Sequence, residues 1–199
     1  MTAADAFATA ADATAAASVD TPGADAADDT AAAAHEPAVT GVEPAVADYA
    51  EFWAEARIAR PSLPAGVPEA WAFGATREHA DGLLALVLEG RKTATASSLW
   101  DYEEDGEPIP AVGDLSIILD GAGIPRAVLE VTAIEIVPFG QVSDDHAHSE
   151  GEDDRTLGSW RRVHETFWRE YSPRGFAPDM PVVCERFRVL HRTSALSGS

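Results

Sequence analysis

Between residues 46 and 59 the apolar side chains Val46, Tyr49, Phe52, Trp53 and Ala56 recur at three- and four-residue steps, until Pro61 stops the pattern. That spacing predicts a first helix. Pro61, Pro64, Gly66 and Pro68 then make an extended loop into Trp71-Ala72-Phe73-Gly74. Thr76 is placed to cap a second helix with the face Ala80, Leu83, Leu84, Val87 and Leu88 and the stop Gly90. The Thr-Ala-Thr-Ala alternation that follows suits a strand. Trp100-Asp101-Tyr102 and an acidic loop come next, then Gly113-Asp114 as turn residues, a buried strand over Leu115–Leu119, a turn over 120–123 and a longer strand over 127–137. In that longer strand Leu129, Val131 and Ala133 hold odd positions while Ile134 and Ile136 hold even ones, a flip that predicts a bulge. An acidic, His-containing loop reaches Arg155. Leu157, Trp160, His164, Phe167 and Tyr171 then mark a third helix over 156–171, ended by Pro173 and Gly175. A last strand over 182–190 puts Phe187 and Val189 on one face and Arg186 and Arg188 on the other. The elements predict an α+β domain built on a small mixed β-barrel with flanking helices.

Residues 1–45 break from this patterning. They hold 19 alanines, eight acidic residues and no Lys or Arg, with Phe7 the only aromatic. So little large apolar surface does not offset the entropy of ordering, so a disordered tail over 1–45 is expected, with the domain and its N-terminal helical extension over 46–199. The tail lacks the basic start and apolar run of a secretory signal, and no stretch reaches the length needed to span a bilayer. A soluble, cytoplasmic protein is expected. Cys184 is alone in an apolar strand and reads as a core residue.

Charge narrows the partners. The chain carries a net −20; without the tail's acids there remain 14 basic against 26 acidic residues, a net of −12. Such a field repels polyanions, so double-stranded DNA is not expected and a small nucleoside or short RNA is favoured. No membrane partner, metal or cofactor is called for, and the oligomeric state is left open.

Lys92 is the single lysine beside thirteen arginines. A guanidinium stays protonated, whereas burial can tune an amine into a base. Lys92 lies in Gly90-Arg91-Lys92-Thr93-Ala94-Thr95-Ala96-Ser97. That stretch, with Trp71-Ala72-Phe73-Gly74, Leu99-Trp100-Asp101-Tyr102, Ile117-Ile118-Leu119-Asp120-Gly121 and Trp160-Arg161, resembles the ASCH domain family of bacterial proteins over residues 71–190. The resemblance implies a PUA-like barrel. Within the family, amidohydrolases that remove the acetyl group from 4-acetylcytidine carry a catalytic Lys in Gly-Arg-Lys-Thr, a Thr three residues later and a Glu in His-Ala-x-x-Glu. Carried over, these imply Lys92, Thr95 and Glu150 as catalytic residues. Arg91, Thr93, Ser97, Tyr102 and His146 become candidate substrate contacts. One position departs: Ser97 stands where that motif commonly has Arg. Other relatives are ribonucleases or RNA-binding regulators, so a ribonuclease and a non-catalytic RNA- or nucleotide-binding module remain alternatives.

The residues themselves also admit a plainer reading. In an extended segment Lys92 and Thr95 point to opposite faces, so their pairing requires a turn or bend. Given one, a neutral Lys92 could take the Thr95 proton as the hydroxyl attacks an acyl carbon, with Glu150 orienting the amine or activating water. Otherwise Thr93 and Thr95 are ordinary strand threonines and Lys92 a solvated cation. His146 and His148 beside carboxylates could bind a divalent metal, but acidic runs are usually just solvated. Trp71, Trp100 and Tyr102 could stack on a base, Tyr102 above all because it is expected in a polar loop. Arg91, Arg186 and Arg188 read better as partners of nearby carboxylates than as phosphate contacts.

Overall fold

The computed structural model describes residues 46–193, and the tail expected over 1–45 lies outside the described residues. In chain order these residues form α1 (Val46–Ala59), β1 (Glu69–Trp71), α2 (Arg77–Leu88), β2 (Ala94–Ser98), α3 (Leu99–Asp105), β3 (Leu115–Leu119), β4 (Pro125–Pro138), α4 (Asp144–Glu150), α5 (Leu157–Tyr171) and β5 (Pro181–Arg192). The helix starts follow from capping. The Thr76 hydroxyl accepts the His79 amide at 3.2 Å, and Thr156 accepts the Ser159 amide at 3.1 Å, each satisfying a first-turn donor that has no helical partner.

One five-stranded sheet runs β1-β3-β4-β5-β2, with β1 parallel to β3 and the remaining pairs antiparallel. Strand alternation distributes its apolar side chains. Ile117, Leu119 and Val128 pack with Phe52, Trp53 and Ala56 of α1. Ile118, Ala127 and Leu129 point the other way, onto Leu83, Leu84 and Val87 of α2. Toward β2 and β5, Ala96, Val182 and Cys184 join a third cluster with Trp160, Phe167 and Trp168 of α5.

The flip expected in β4 is a pair of register shifts, between Val128 and Leu129 and between Val131 and Ala133. Bulges bend a strand and increase its twist, which curls the sheet. The outcome is visible in one cavity: Glu69 and Trp71 from one edge strand and Thr95 and Ser97 from the opposite edge line the same hollow. The architecture is an α+β half-barrel of PUA-like type with flanking helices.

Two segments differ from expectation. Tyr102 lies on α3 rather than in a polar loop: Ser98 accepts the Trp100 amide at 3.2 Å to start the helix, and Gly106, at φ +70°, ends it. The stretch expected as an acidic loop folds as α4 over Asp144–Glu150, started by Ser143, which accepts the His146 amide at 3.1 Å. Asp144 and Asp145 complement the positive end of that helix. Three-residue β1 was also unforeseen, because it lies inside a proline-rich approach.

Candidate functional site

Lys92 is fully buried, in the turn between α2 and β2. The amides of Arg91 and Lys92 both reach the Leu86 carbonyl, turning the chain away from the helix, and the Thr93 amide then takes the Ser149 carbonyl of α4 at 2.8 Å. Gly151 lets the two segments touch. It sits at φ +77°, and a Cβ there would lie 2.5 Å from the Arg91 carbonyl oxygen. The residues on either side of it, Glu150 and Glu152, close on one ammonium: Lys92 Nζ donates to Glu150 Oε2 at 3.1 Å and Glu152 Oε1 at 2.6 Å. The Phe73 ring lies 5.5 Å from the same nitrogen.

Glu150 is the hub of this polar core. Its Oε1 accepts from Trp160 Nε1 at 2.6 Å and His146 Nε2 at 3.0 Å. His164 stacks on Trp160 with centroids 4.1 Å apart, and its Nε2 stands 3.6 Å from Oε1, beyond hydrogen-bond length. Because the Trp160 carbonyl can only accept, His164 Nδ1 carries the proton of their 2.9 Å bond. Glu152 Oε2 and His164 Nε2 have no hydrogen-bond partner among the described residues, and both residues line a hollow of about 10 Å³.

These contacts set the charges. Burial alone would lower the Lys92 amine, but the carboxylates of Glu152 and Glu150 outweigh it and hold the amine above its ordinary value. Burial would likewise raise Glu150, yet Lys92, His164 and the hydrogen bonds hold it well below the usual carboxylate range. Glu152 rises through burial and the adjacent Glu150 charge, which outweigh Lys92. The resting pair is therefore an ammonium on an ionised Glu150, beside a carboxyl that retains a proton more readily.

A cavity lies between the edge strands of the sheet. About 240 Å³ in volume, it is lined by Thr95 and Ser97 of β2, Trp71 of β1, Tyr102 of α3, Val131 of β4 and Glu185 of β5, among others. Tyr102 is hydrogen-bonded to Ser97, and burial pushes its phenol above the ordinary value. Thr95 pairs directly with Glu185 in the β2–β5 ladder, so the two side chains share a face. Burial, helped by Asp114 and opposed by Lys92, pushes the Glu185 carboxyl up to about 7. Through that charge Lys92 is felt at the cavity, although it is not among the lining residues.

Of the residues singled out from sequence, Lys92, Glu150 and His146 meet in the polar core, while Thr95, Ser97 and Tyr102 line the cavity. Arg91 and Thr93 are exposed; Arg91 donates to the Asp153 carbonyl at 2.7 Å and Thr93 to the Ser149 carbonyl at 3.2 Å. Arg186 and Arg188 pair with Asp145 and Glu130. His146 turns inward to Glu150 whereas His148 meets Arg155 on the surface, so the two do not converge on one ion. Among the described residues no group of three or more His, Cys, Asp or Glu could hold a metal. Nor is any described helix long and apolar enough to cross a membrane. Glu152, Trp160, His164 and Glu185 were not anticipated. The available signals were an ionisable residue inside an apolar strand and a Trp-His pair four apart on one helix face.

A curled mixed sheet holding a cavity between its edge strands defines a PUA-like barrel domain. The ASCH domain model matches residues 69–191, and the chain belongs to the ASCH domain family. A crystal structure of an Enterococcus faecalis protein is similar at a TM-score of 0.64 and 37% identity, covering 71% of this chain and 87% of that one. The ASCH domain from Lactobacillus crispatus gives a TM-score of 0.64 at 28% identity, over 76% and 98%. No curated protein matches the chain.

Proposed function

We propose that the cavity binds a modified nucleoside or RNA-derived ligand and that Thr95, Lys92 and Glu150 hydrolyse an amide such as that of 4-acetylcytidine. The observation that carries this reading is that Thr95 lines a ligand-sized hollow in which Glu185 feels the charge of Lys92, itself paired with Glu150. The Thr95 oxygen attacks the acetyl carbon while its proton passes to Lys92, the carbon–nitrogen bond breaks, and the proton goes to the departing cytidine amine. Water then cleaves the threonyl ester to acetate, restoring the hydroxyl. Lys92 rests as a cation, so it must first release a proton. Glu152, bonded to it and raised toward the protonated form, is the acceptor at hand.

The test is cytidine release from 4-acetylcytidine. Turnover that disappears in Thr95→Val is expected, and a wild-type protein that leaves the substrate intact would overturn the reading. A non-catalytic binding module is the second reading, favoured by the clamp of two carboxylates that keeps Lys92 charged. It predicts ligand binding that survives Thr95→Val, with no product formed.

A further inference from the structure

The carboxyl of Glu185 is only 9% exposed, although it is built into the middle of an ordered strand, and the charged groups that act on it are Asp114, which repels it, and, more weakly, Lys92. Burying a carboxyl costs folding free energy unless a cation or hydrogen-bond donors compensate it, and here it lines a cavity large enough for a nucleobase. Nothing in the lining compensates its charge: the other ionisable groups there are Glu69, Glu107, Asp114 and the phenol of Tyr102, with no Lys, Arg or His. Glu69, Glu107 and Asp114 are exposed and form the rim, while Glu185 forms the floor.

We propose that Glu185 is the recognition residue of this cavity, and that its ligand is a phosphate-free base presenting N–H donors, neutral or protonated. The proposal rests on reading the cavity as the ligand site and not on hydrolysis taking place there. A carboxylate accepts from an exocyclic amine such as that of cytosine, and its protonated form can also donate to the adjacent ring nitrogen. The register fixes where such a base sits. Glu185 lies directly across from Thr95, so an amine held by Glu185 keeps its substituent beside the Thr95 hydroxyl. Phosphate has no cation to meet in the cavity and three carboxylates to pass at its rim, so a nucleoside enters where its phosphorylated form is repelled.

Calorimetric titration of the full chain with cytidine and with cytidine 5′-monophosphate tests this. Cytidine is expected to bind, and the monophosphate about tenfold more weakly or worse. Glu185→Gln is expected to lower cytidine affinity about tenfold or more, the worth of a charge-assisted hydrogen bond, with an unchanged circular dichroism spectrum. Absence of cytidine binding at millimolar concentration, equal affinity for the monophosphate, or unaltered affinity in Glu185→Gln would each overturn it. Binding without turnover of 4-acetylcytidine removes the hydrolase reading and leaves this one standing. Turnover that is indifferent to Glu185→Gln does the reverse.

Discussion

Thr95 and Glu185 face each other across the β2–β5 ladder, and both side chains end in the cavity. Burial, with Asp114 adding and Lys92 opposing, pushes Glu185 up to about 7, so folding binds a proton that the unfolded chain has already lost above its ordinary value of 4.5. Stability contributed by this group is therefore lost as pH rises from about 4.5 to 7, a span worth about 3 kcal/mol at 1.36 kcal/mol per unit. Glu185→Gln removes that loss. Urea unfolding should show the variant about 2–3 kcal/mol more stable than wild type at pH 8 and close to it at pH 4.5. A gap independent of pH would mean that the carboxyl titrates normally.

Removing the ammonium between Glu150 and Glu152 acts in the other direction. Lys92→Met keeps the volume but leaves two buried carboxylates unneutralised, a loss of about 3–5 kcal/mol at pH 7. Because Glu150 is held well below its ordinary value in the fold, the stability it contributes is present above that ordinary value and fades as pH falls through the folded one. The variant's deficit should accordingly shrink in acid. Urea midpoints for both proteins across pH 3–7 check this, and Lys92→Met/Glu150→Gln should recover part of the deficit at pH 7.

Much of this arrangement was legible along the chain, for identifiable reasons. Thr76 announced its helix because capping is local chemistry, the helix over 156–171 showed in side chains spaced three and four apart, and Leu115–Leu119 stood out as a short apolar run between turn residues. Lys92 and Glu150 were found by motif, and the bulge in β4 by its change of parity. What escaped was written in tertiary contact. Glu152 looked like one more solvated acid until the positive φ of Gly151 folded it back onto Lys92. Glu185 carries no signal of its own role in Val182-Val183-Cys184-Glu185-Arg186-Phe187, because its significance depends on the residue opposite. Ser143 followed by Asp144 and Asp145 was a helix start hidden inside a charge run.

Gly151 and Gly90 make a controlled pair. Both are left-handed, at φ +77° and +74°, but a Cβ at Gly90 meets nothing within 4 Å, whereas one at Gly151 lies 2.5 Å from the Arg91 oxygen. Gly90→Ala should cost only the left-handed penalty of about 1–2 kcal/mol. Gly151→Ala adds overpacking against backbone, for a total of about 3 kcal/mol or more, and pries Glu150 and Glu152 from Lys92. Thermal unfolding of the two variants side by side should separate them by several degrees. Equal melting temperatures would show that α4 gives way without cost.

Trp160 tests whether Glu150 is held by hydrogen bonds or only by charge. Its indole nitrogen donates to Glu150 Oε1 at 2.6 Å, while its ring is stacked between Phe139 and His164. Trp160→Phe keeps most of that stacking and deletes the donor, leaving His146 as the one neighbour that still hydrogen-bonds this oxygen. A hydrogen bond to a buried charged acceptor is worth about 1.5–3 kcal/mol, so a loss in that range is expected at pH 7. Without this donor Glu150 becomes easier to protonate, so the acid unfolding midpoint should also move to higher pH. His146→Phe, which removes the other hydrogen-bond partner of this oxygen but leaves the Trp160 stack intact, should shift the midpoint in the same direction. The double variant should lose more than the sum of the singles, because the second deletion strips that oxygen of its remaining hydrogen bond. Additive losses would instead mean that the ammonium of Lys92 alone keeps Glu150 ionised.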